Sequence, residues 1–210
     1  MIYAPRRKLV FVHIPKTGGT SMALALEARA QAEDILIGDT PKAQRRRKRL
    51  KQIDPGKRLW KHSSYRDLAE VIGAETLSDC LVFTLVRNPW VRVLSYYHWL
   101  RSQNWEHPAV AAAKAKAFKD FLFDPFVTKS FEMFPYTHYV HGASTPHFVR
   151  LEHLWEDMAP IEAHLGFEIN LPQANRSNRP DDWRAAYDSA SKDQVGRLCA
   201  EDIARFGYTF

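Results

Sequence analysis

The sequence predicts a three-layer α/β fold, in which a central parallel β-sheet is flanked by helices on both faces. Residues 9–14 and 81–86 are short apolar runs rich in β-branched side chains, which is typical of buried strands. Turn residues and a helical pattern follow each run. Apolar strands that alternate with helices favour a parallel sheet covered on both sides, and such sheets bind ligands at the carboxyl ends of their strands.

The elements between these two strands follow from local composition. Residues 20–32 are rich in Ala, Leu, Met and Glu, which favours a helix directly after the first strand. Residues 35–37 predict a second short strand. Ser64 and Asp67 form the Ser-x-x-Asp pattern of a capped helix start, so we expect a helix over residues 64–72.

The second half of the chain is predominantly helical in pattern. Asn88 and Pro89 are typical of the N-cap and first position of a helix, which we expect to run to about residue 101. The remaining predicted elements are helices over residues 109–122, 154–165 and 192–206 and a strand over residues 147–151.

Length and composition favour one cytosolic domain. The chain has 210 residues, of which 45% are hydrophobic and 26% charged, so residues 1–210 suit a single globular domain. No apolar run approaches the ~20 residues of a membrane span, and the run at residues 9–14 is too short for a secretory signal. Two cysteines exclude a disulfide framework and a cysteine-based zinc site.

The formal net charge of +6 favours an anionic ligand or partner. The densest basic run is Arg45–Arg49. A solvated helix face is the simpler interpretation of this run. The alternative is an electropositive lip that recruits an anionic acceptor.

Residues 15–21 connect the first strand to its helix, and their composition suits a bound phosphate. Adjacent glycines let the backbone turn tightly and bring N–H groups close to an oxyanion. The helix start adds further N–H donors and the positive end of its dipole. The lysine precedes the glycines, unlike the usual P-loop, so an ordinary strand–turn–helix is the alternative. The loop consists of Pro15, Lys16, Thr17, Gly18, Gly19, Thr20 and Ser21.

A second anion site is predicted where the strand at residues 81–86 ends. Arg87 leaves this strand at the same edge of the sheet, and its rigid guanidinium group suits a phosphate. Ser95 lies on the following helix, on a stripe distinct from the apolar face, where it can point toward the same anion. Taken alone, Arg87 would be a loop anchor and Ser95 a helix surface residue.

Together the two segments resemble the nucleotide-binding signatures of sulfotransferases that use 3′-phosphoadenosine 5′-phosphosulfate (PAPS). The sequence PKTGGTS at residues 15–21 resembles the 5′-phosphosulfate loop, and RNPWVRVLS at residues 87–95 resembles the 3′-phosphate motif. The nearest likeness is to the carbohydrate-type, family 2-like group, including its bacterial cytosolic members. Residues 150–157 and 175–177 resemble later, less specific segments of that family. Val91 departs from the acidic residue that is frequent there.

The resemblance implies a P-loop-like fold and a role for each motif. Lys16 would stabilise the departing phosphate, Thr17 to Ser21 would hold the 5′-phosphate, and Arg87 and Ser95 would hold the 3′-phosphate. The acceptor would carry a free hydroxyl, on a carbohydrate or glycoconjugate, and would not be a nucleic acid. Adenosine 3′,5′-bisphosphate would be the product.

Members of this family use a His or Glu between the two motifs as general base, which points to His62. It precedes the capped helix at residues 64–72, whose positive dipole end disfavours imidazolium. We therefore expect a neutral base near pH 7, with a rate that rises as a group of ordinary histidine pKa deprotonates. Glu152 is the alternative base.

Two other functions remain open from the sequence. A P-loop phosphotransferase would use ATP and Mg²⁺, but it would hold the metal with a strand-end Asp, where this chain has Val86 and Arg87. A non-catalytic polyanion-binding module would rely on the basic run, and its binding would depend strongly on salt. The histidines lack the carboxylate or cysteine partners of a recognisable metal site, so no metal is expected.

Overall fold

The computed structural model describes residues 1–56, 58–172 and 182–210. The chain divides into two compact units. Unit 1 comprises Met1–Val86 and Thr137–Asn175, and unit 2 comprises Arg87–Tyr136 and Arg176–Phe210. A single domain over residues 1–210 stays a prediction, and the family-like segment at residues 175–177 lies outside the described residues.

The sheet belongs to unit 1 and has the strand order β3-β1-β2-β4-β5. Its strands are β1 (Ile2–Ala4), β2 (Leu9–Val12), β3 (Ile35–Leu36), β4 (Leu81–Val86) and β5 (His147–Arg150). The strands β2, β4 and β5 are parallel, as predicted, with Val12 opposite Thr84 and Val86 opposite Arg150.

The sequence analysis did not predict β1, which makes the sheet mixed. It pairs antiparallel with both β2 and β3. The connection from β1 to β2 is the single 3₁₀ turn Pro5–Arg7 followed by Lys8, whose φ of 46° is left-handed. Because so short a connection cannot cross over the sheet, the two strands must run antiparallel.

Helices supply the outer layers of unit 1 and the regular elements of unit 2 among its described residues. In chain order they are α1 (Gly19–Ala28), α2 (Pro41–Arg45), α3 (Arg47–Ile53), α4 (Tyr65–Ile72), α5 (Ala74–Leu77), α6 (Pro89–Arg101), α7 (Pro108–Ala115), α8 (Phe118–Phe121), α9 (Pro125–Met133), α10 (Tyr136–Val140), α11 (Leu154–Leu165), α12 (Ser189–Leu198) and α13 (Ala200–Phe206). None of these helices is both long and apolar enough to cross a bilayer.

The two faces of the sheet bury separate apolar clusters, which confirms the three-layer arrangement in unit 1. On one face Phe11 of β2 packs with Phe83 of β4, and their ring centroids are 5.0 Å apart, beneath side chains of α1 and α11. On the other face Val10 and Val82 pack with Leu68 of α4 and with side chains of α5. This alternation follows the two-residue period of a strand.

Unit 2 is built from α6 to α9, α12 and α13 around an aromatic core. Each of two predicted helices is divided into a pair of shorter helices. The helix predicted over residues 109–122 is interrupted after α7, where the carbonyl of Lys116 accepts a hydrogen bond from the Tyr97 hydroxyl at 2.9 Å. The helix predicted over residues 192–206 begins earlier, at the Asp188–Ser191 capping box, and breaks at Cys199.

In the basic run, some side chains donate hydrogen bonds to backbone carbonyls after α1, and others face solvent. The Arg46 guanidinium donates to the carbonyls of Gln31 at 2.6 Å and Asp34 at 3.4 Å, in the segment that follows α1. Arg49 donates similarly to the Ala32 carbonyl. Arg47 and its neighbour Lys48 are exposed instead. The run is therefore more than a solvated face, because part of it satisfies the backbone beyond a helix end.

We expect Arg46→Ala to lower the free energy of unfolding by about 1–2 kcal/mol, because it removes a charge-assisted hydrogen bond to carbonyls beyond α1. Arg47→Ala is the matched control. It removes the same charge from an exposed neighbour and should change stability by less than about 0.5 kcal/mol. Urea denaturation of both variants tests this, and equal midpoints for the two would contradict the structural role of Arg46.

Candidate functional site

The loop after β2 turns sharply before α1 begins. Lys16 has a φ of 67° and Gly18 a φ of 89°, so both lie in the left-handed region. This conformation is uncommon for a lysine, whereas glycine adopts it without steric cost. The turn brings the chain directly from the carboxyl end of β2 to the N-terminus of α1 at Gly19.

The two glycines are required by their neighbours as well as by the turn. A Cβ atom at Gly19 would lie 2.1 Å from Cδ2 of His13, in steric overlap with the imidazole. A Cβ atom at Gly18 would lie 3.2 Å from a methyl group of Leu151. The loop therefore packs against His13 on one side and Leu151 on the other, with no room for larger residues at position 19.

The hydroxyl groups of the loop have different environments. Thr17 is fully buried, and its hydroxyl donates to the carbonyl of Ile14 at 2.9 Å. Its side chain therefore closes the turn. Thr20 is exposed and Ser21 is half-buried. The N–H groups of Ser21 and Met22 donate to the Gly18 carbonyl, so the amides before them form the open start of the helix, a feature that favours anions in general.

His62 is tied to the same strand end. Its Nδ1 lies 2.7 Å from the backbone carbonyl of His13. Because a carbonyl can only accept, Nδ1 carries the proton and Nε2 is the unprotonated nitrogen. The two imidazole centroids are 4.6 Å apart and nearly perpendicular. His62 thus presents one basic nitrogen, in a tautomer fixed by the residue that also packs against Gly19.

Burial keeps His62 neutral. It lowers the pKa of His62 to about 4, opposed by the hydrogen bond to the His13 carbonyl. The positive charge of Lys61 lowers the pKa further and Asp39 raises it. Burial likewise holds the pKa of His13 well below its usual value. The predicted helix α4 and its Ser64–Asp67 capping box are confirmed, but burial, not the helix dipole, is the main cause of the neutral state.

The second predicted segment lies in unit 2 and begins with a capped helix. The Asn88 side-chain oxygen accepts from the N–H groups of Trp90 at 3.1 Å and Val91 at 3.4 Å, which confirms the predicted start of α6. The Asn88 amide nitrogen donates to the carbonyl of Thr209 at 2.8 Å. The C-terminal segment therefore fixes the residue that follows Arg87.

Arg87 is half-buried and Ser95 is buried. The Tyr136 hydroxyl donates to the Arg87 carbonyl at 2.5 Å. Ser95 is only 7% exposed, so it is not a helix surface residue. Arg92 is also buried, with its guanidinium carbon 4.7 Å above the Tyr136 ring.

Asp202 completes this packing from α13. Its carboxylate accepts from the Tyr136 backbone N–H at 2.9 Å, and its pKa is raised to about 6 by burial, opposed by that hydrogen bond and by Arg92. Tyr136 and Asp202 escaped the sequence analysis because they are 66 residues apart. Arg92 could have been noticed from the sequence, because it is a charged residue in a largely apolar helix start.

The structure therefore forms two groups of predicted site residues. In unit 1 the loop at residues 15–21 and His62 are joined through His13. In unit 2 Arg87 is half-buried just before α6, and Ser95 is buried within that helix. Among residues 1–56, 58–172 and 182–210, no three His, Cys, Asp or Glu side chains lie together as metal ligands would.

Arg150 and Asp157 bound a family-like segment and form a salt bridge. Both Nε and a terminal nitrogen of Arg150 contact the Asp157 carboxylate, at 2.7 and 2.8 Å. Bidentate pairing of this kind fixes both side chains, so it holds the turn from β5 into α11. Glu152, the alternative base, lies on that turn and is exposed.

Comparisons with known proteins address the family and the fold. The model of the sulfotransferase family matches residues 1–209. Among solved structures, the chain is similar to mouse sulfotransferase SULT7A1 complexed with PAP, with 17% identity and a TM-score of 0.50 over 94% of this chain and 85% of that one. No curated protein matches. The structural likeness supports the α/β fold, and the family match spans nearly the whole sequence, so this chain belongs to the sulfotransferase family.

Proposed function

We propose that this protein transfers the sulfuryl group of PAPS to an acceptor hydroxyl on a carbohydrate or glycoconjugate. The observation that carries the proposal is the loop at residues 15–21, which joins β2 to the start of α1 through left-handed Lys16 and Gly18. An open helix start with a lysine beside it suits a group with several anionic oxygens. The family match and the PAP bound to the similar mouse enzyme support the choice of nucleotide.

The proposal assigns the two ends of the nucleotide to the two predicted segments. The loop would hold the 5′-phosphate through backbone amides, Lys16, Thr20 and Ser21, while Thr17 contributes its backbone because its hydroxyl closes the turn. Arg87 and Ser95 would hold the 3′-phosphate. Tyr136 and Asp202 then act as positioning residues for Arg87, since one bonds its carbonyl and the other bonds Tyr136.

In the proposed reaction the acceptor oxygen attacks sulfur in line with the bond that breaks. A new oxygen–sulfur bond forms, and the electron pair of the old one moves onto the phosphate oxygen. Lys16 stabilises the negative charge that grows there, so its contact is stronger in the transition state than in the ground state. The acceptor proton moves to Nε2 of His62, which is its unprotonated nitrogen. No metal is assigned a role.

A separate 3′-phosphate site predicts that the protein binds adenosine 3′,5′-bisphosphate much more tightly than AMP or ATP. Arg87→Ala should weaken binding of the bisphosphate by about 1.5–3 kcal/mol and leave that of AMP unchanged. Calorimetry measures both. Arg101→Ala, on the exposed end of α6, is the control and should change neither affinity. Equal affinity of the wild type for AMP and the bisphosphate would refute the 3′-phosphate site, and tighter binding of ATP would favour a phosphotransferase.

Kinetics should separate the roles of Lys16 and His62. We expect Lys16→Met to lower kcat far more than it weakens bisphosphate binding, because the backbone amides of the loop remain. His62→Ala should lower kcat by about 10²–10⁴, the usual contribution of a general base, with bisphosphate affinity unchanged. Transfer from labelled PAPS to a panel of glycans measures both. His98→Ala, an exposed histidine of α6, should retain wild-type kcat. Near-normal kcat in His62→Ala would shift the base assignment to Glu152.

The lowered pKa of His62 revises the expected pH profile. A base with a pKa of about 4 stays unprotonated above about pH 5, so kcat/KM should be flat from pH 8 to about 5.5 and fall only below that. Lys61→Met removes a positive charge and should move the fall in kcat/KM to higher pH. Asp39→Asn removes a negative charge and should move this fall to lower pH. A fall in kcat/KM near pH 6.5 that is absent in His62→Ala would show that burial does not lower the pKa of His62.

A further inference from the structure

The exposed side chain of Trp60 contacts the candidate base His62. Its ring centroid lies 5.1 Å from that of His62, and the two planes are nearly perpendicular. The His13 ring contacts His62 from the buried side. Trp60 is 59% exposed, although a tryptophan is normally largely buried. His62 therefore stands between a buried imidazole and an open indole.

The exposure of Trp60 is not the result of a loose loop. Its backbone N–H donates to the Ser63 hydroxyl at 3.1 Å, and its carbonyl accepts from the Ser63 N–H at 3.0 Å. The preceding residue, Leu59, is buried in the sheet cluster that includes Val10, and its N–H donates to Asp54 at 2.7 Å. The turn is thus fixed at both ends, and it holds the indole in place beside His62.

Lys61 follows Trp60 in the chain and contributes polar groups suited to a hydroxylated ring. Lys61 and Asp39 form an ion pair whose carboxylate is largely exposed. The pair offers both hydrogen-bond donors and acceptors. A flat aromatic face can pack against the apolar C–H face of a pyranose, while its hydroxyls reach polar neighbours. A small phenol, by contrast, needs a pocket that encloses most of its surface.

We propose that Trp60 is an acceptor-binding residue, and that it packs against the pyranose ring whose hydroxyl gives its proton to Nε2 of His62. This inference rests on the proposed function and adds the residue that selects the acceptor. The ring would lie on the indole with Lys61 and Asp39 at its edge. Isolated exposed apolar side chains are common on protein surfaces; Trp60 differs from them in its rigid turn and its contact with His62.

The test measures transfer from labelled PAPS to a set of methyl pyranosides with gluco, galacto, manno, N-acetylglucosamine and glucuronic acid configurations. Trp60→Ala should raise KM for the best of these about five- to tenfold, the loss expected for one aromatic packing contact. Trp60→Phe should recover most of that loss. Bisphosphate affinity should match the wild type in both variants, because the loop is not altered. Trp60→Ala uncovers His62, whose pKa is lowered by burial, so the fall in kcat/KM at low pH should move to higher pH in this variant and less in Trp60→Phe.

Trp105→Ala is the matched control, because Trp105 is an exposed tryptophan of unit 2, 44% exposed, whose ring contacts are with Trp99 and His107. It should leave KM for the pyranoside unchanged. An unchanged KM in Trp60→Ala, or equal losses for every acceptor, overturns the proposal in favour of a structural role.

Two further outcomes separate this inference from the proposed function. If the wild type binds the bisphosphate but transfers no sulfate to any pyranoside, the sugar subsite is wrong and the nucleotide assignment stands. The same holds if 4-nitrophenol is the better acceptor and Trp60→Ala impairs only its sulfation. If the wild type binds neither the bisphosphate nor PAPS, the proposed function itself fails.

Discussion

The packing of His13 against Gly19 is the contact on which the candidate catalytic residues of unit 1 depend. The imidazole occupies the space of any side chain at position 19, so the loop can lie close against the end of β2. The carbonyl of the same residue accepts the Nδ1 proton of His62 and thereby leaves Nε2 as the basic nitrogen. One residue at a strand end thus sets both the path of the phosphate loop and the tautomer of the base. Its own burial keeps it uncharged, so it adds no competing cation beside Lys16.

In unit 2, buried polar groups support the segment that contains the candidate site residues. Arg92 lies over the Tyr136 ring, and Asp202 accepts from the backbone of the same tyrosine. Buried charges are stable only when such partners compensate their lost hydration. The arrangement places a hydrogen-bond donor on the carbonyl of Arg87 and a buried cation one turn into α6. We therefore view this network as the support of the proposed 3′-phosphate site, where a rigid arginine gains most from a fixed backbone.

Local signals explain which features the sequence could predict. The parallel strands β2 and β4, the Asn88 cap and the Ser64–Asp67 capping box depend on neighbouring residues and were predicted correctly. Short β1 and the break at Lys116 depend on contacts distant in sequence, which composition does not encode. In the candidate site, the sequence does not show which hydroxyl groups of the loop remain available to a ligand, and the Thr17 hydroxyl closes the turn. Nor does it single out His13, because packing against a glycine leaves no pattern along the chain.

The position of the basic run has a consequence for the behaviour of the chain in concentrated solution. The edge strand β3 is only two residues long, and α2 and α3 pack against it. Exposed sheet edges template the addition of strands from other molecules, and natural proteins block them with short strands, covering elements and positive side chains. This edge has all three forms of protection, since Arg45, Arg47 and Lys48 are exposed on the covering helices. Like charges on approaching copies would repel one another here, so the run also protects the mixed sheet from edge-to-edge aggregation.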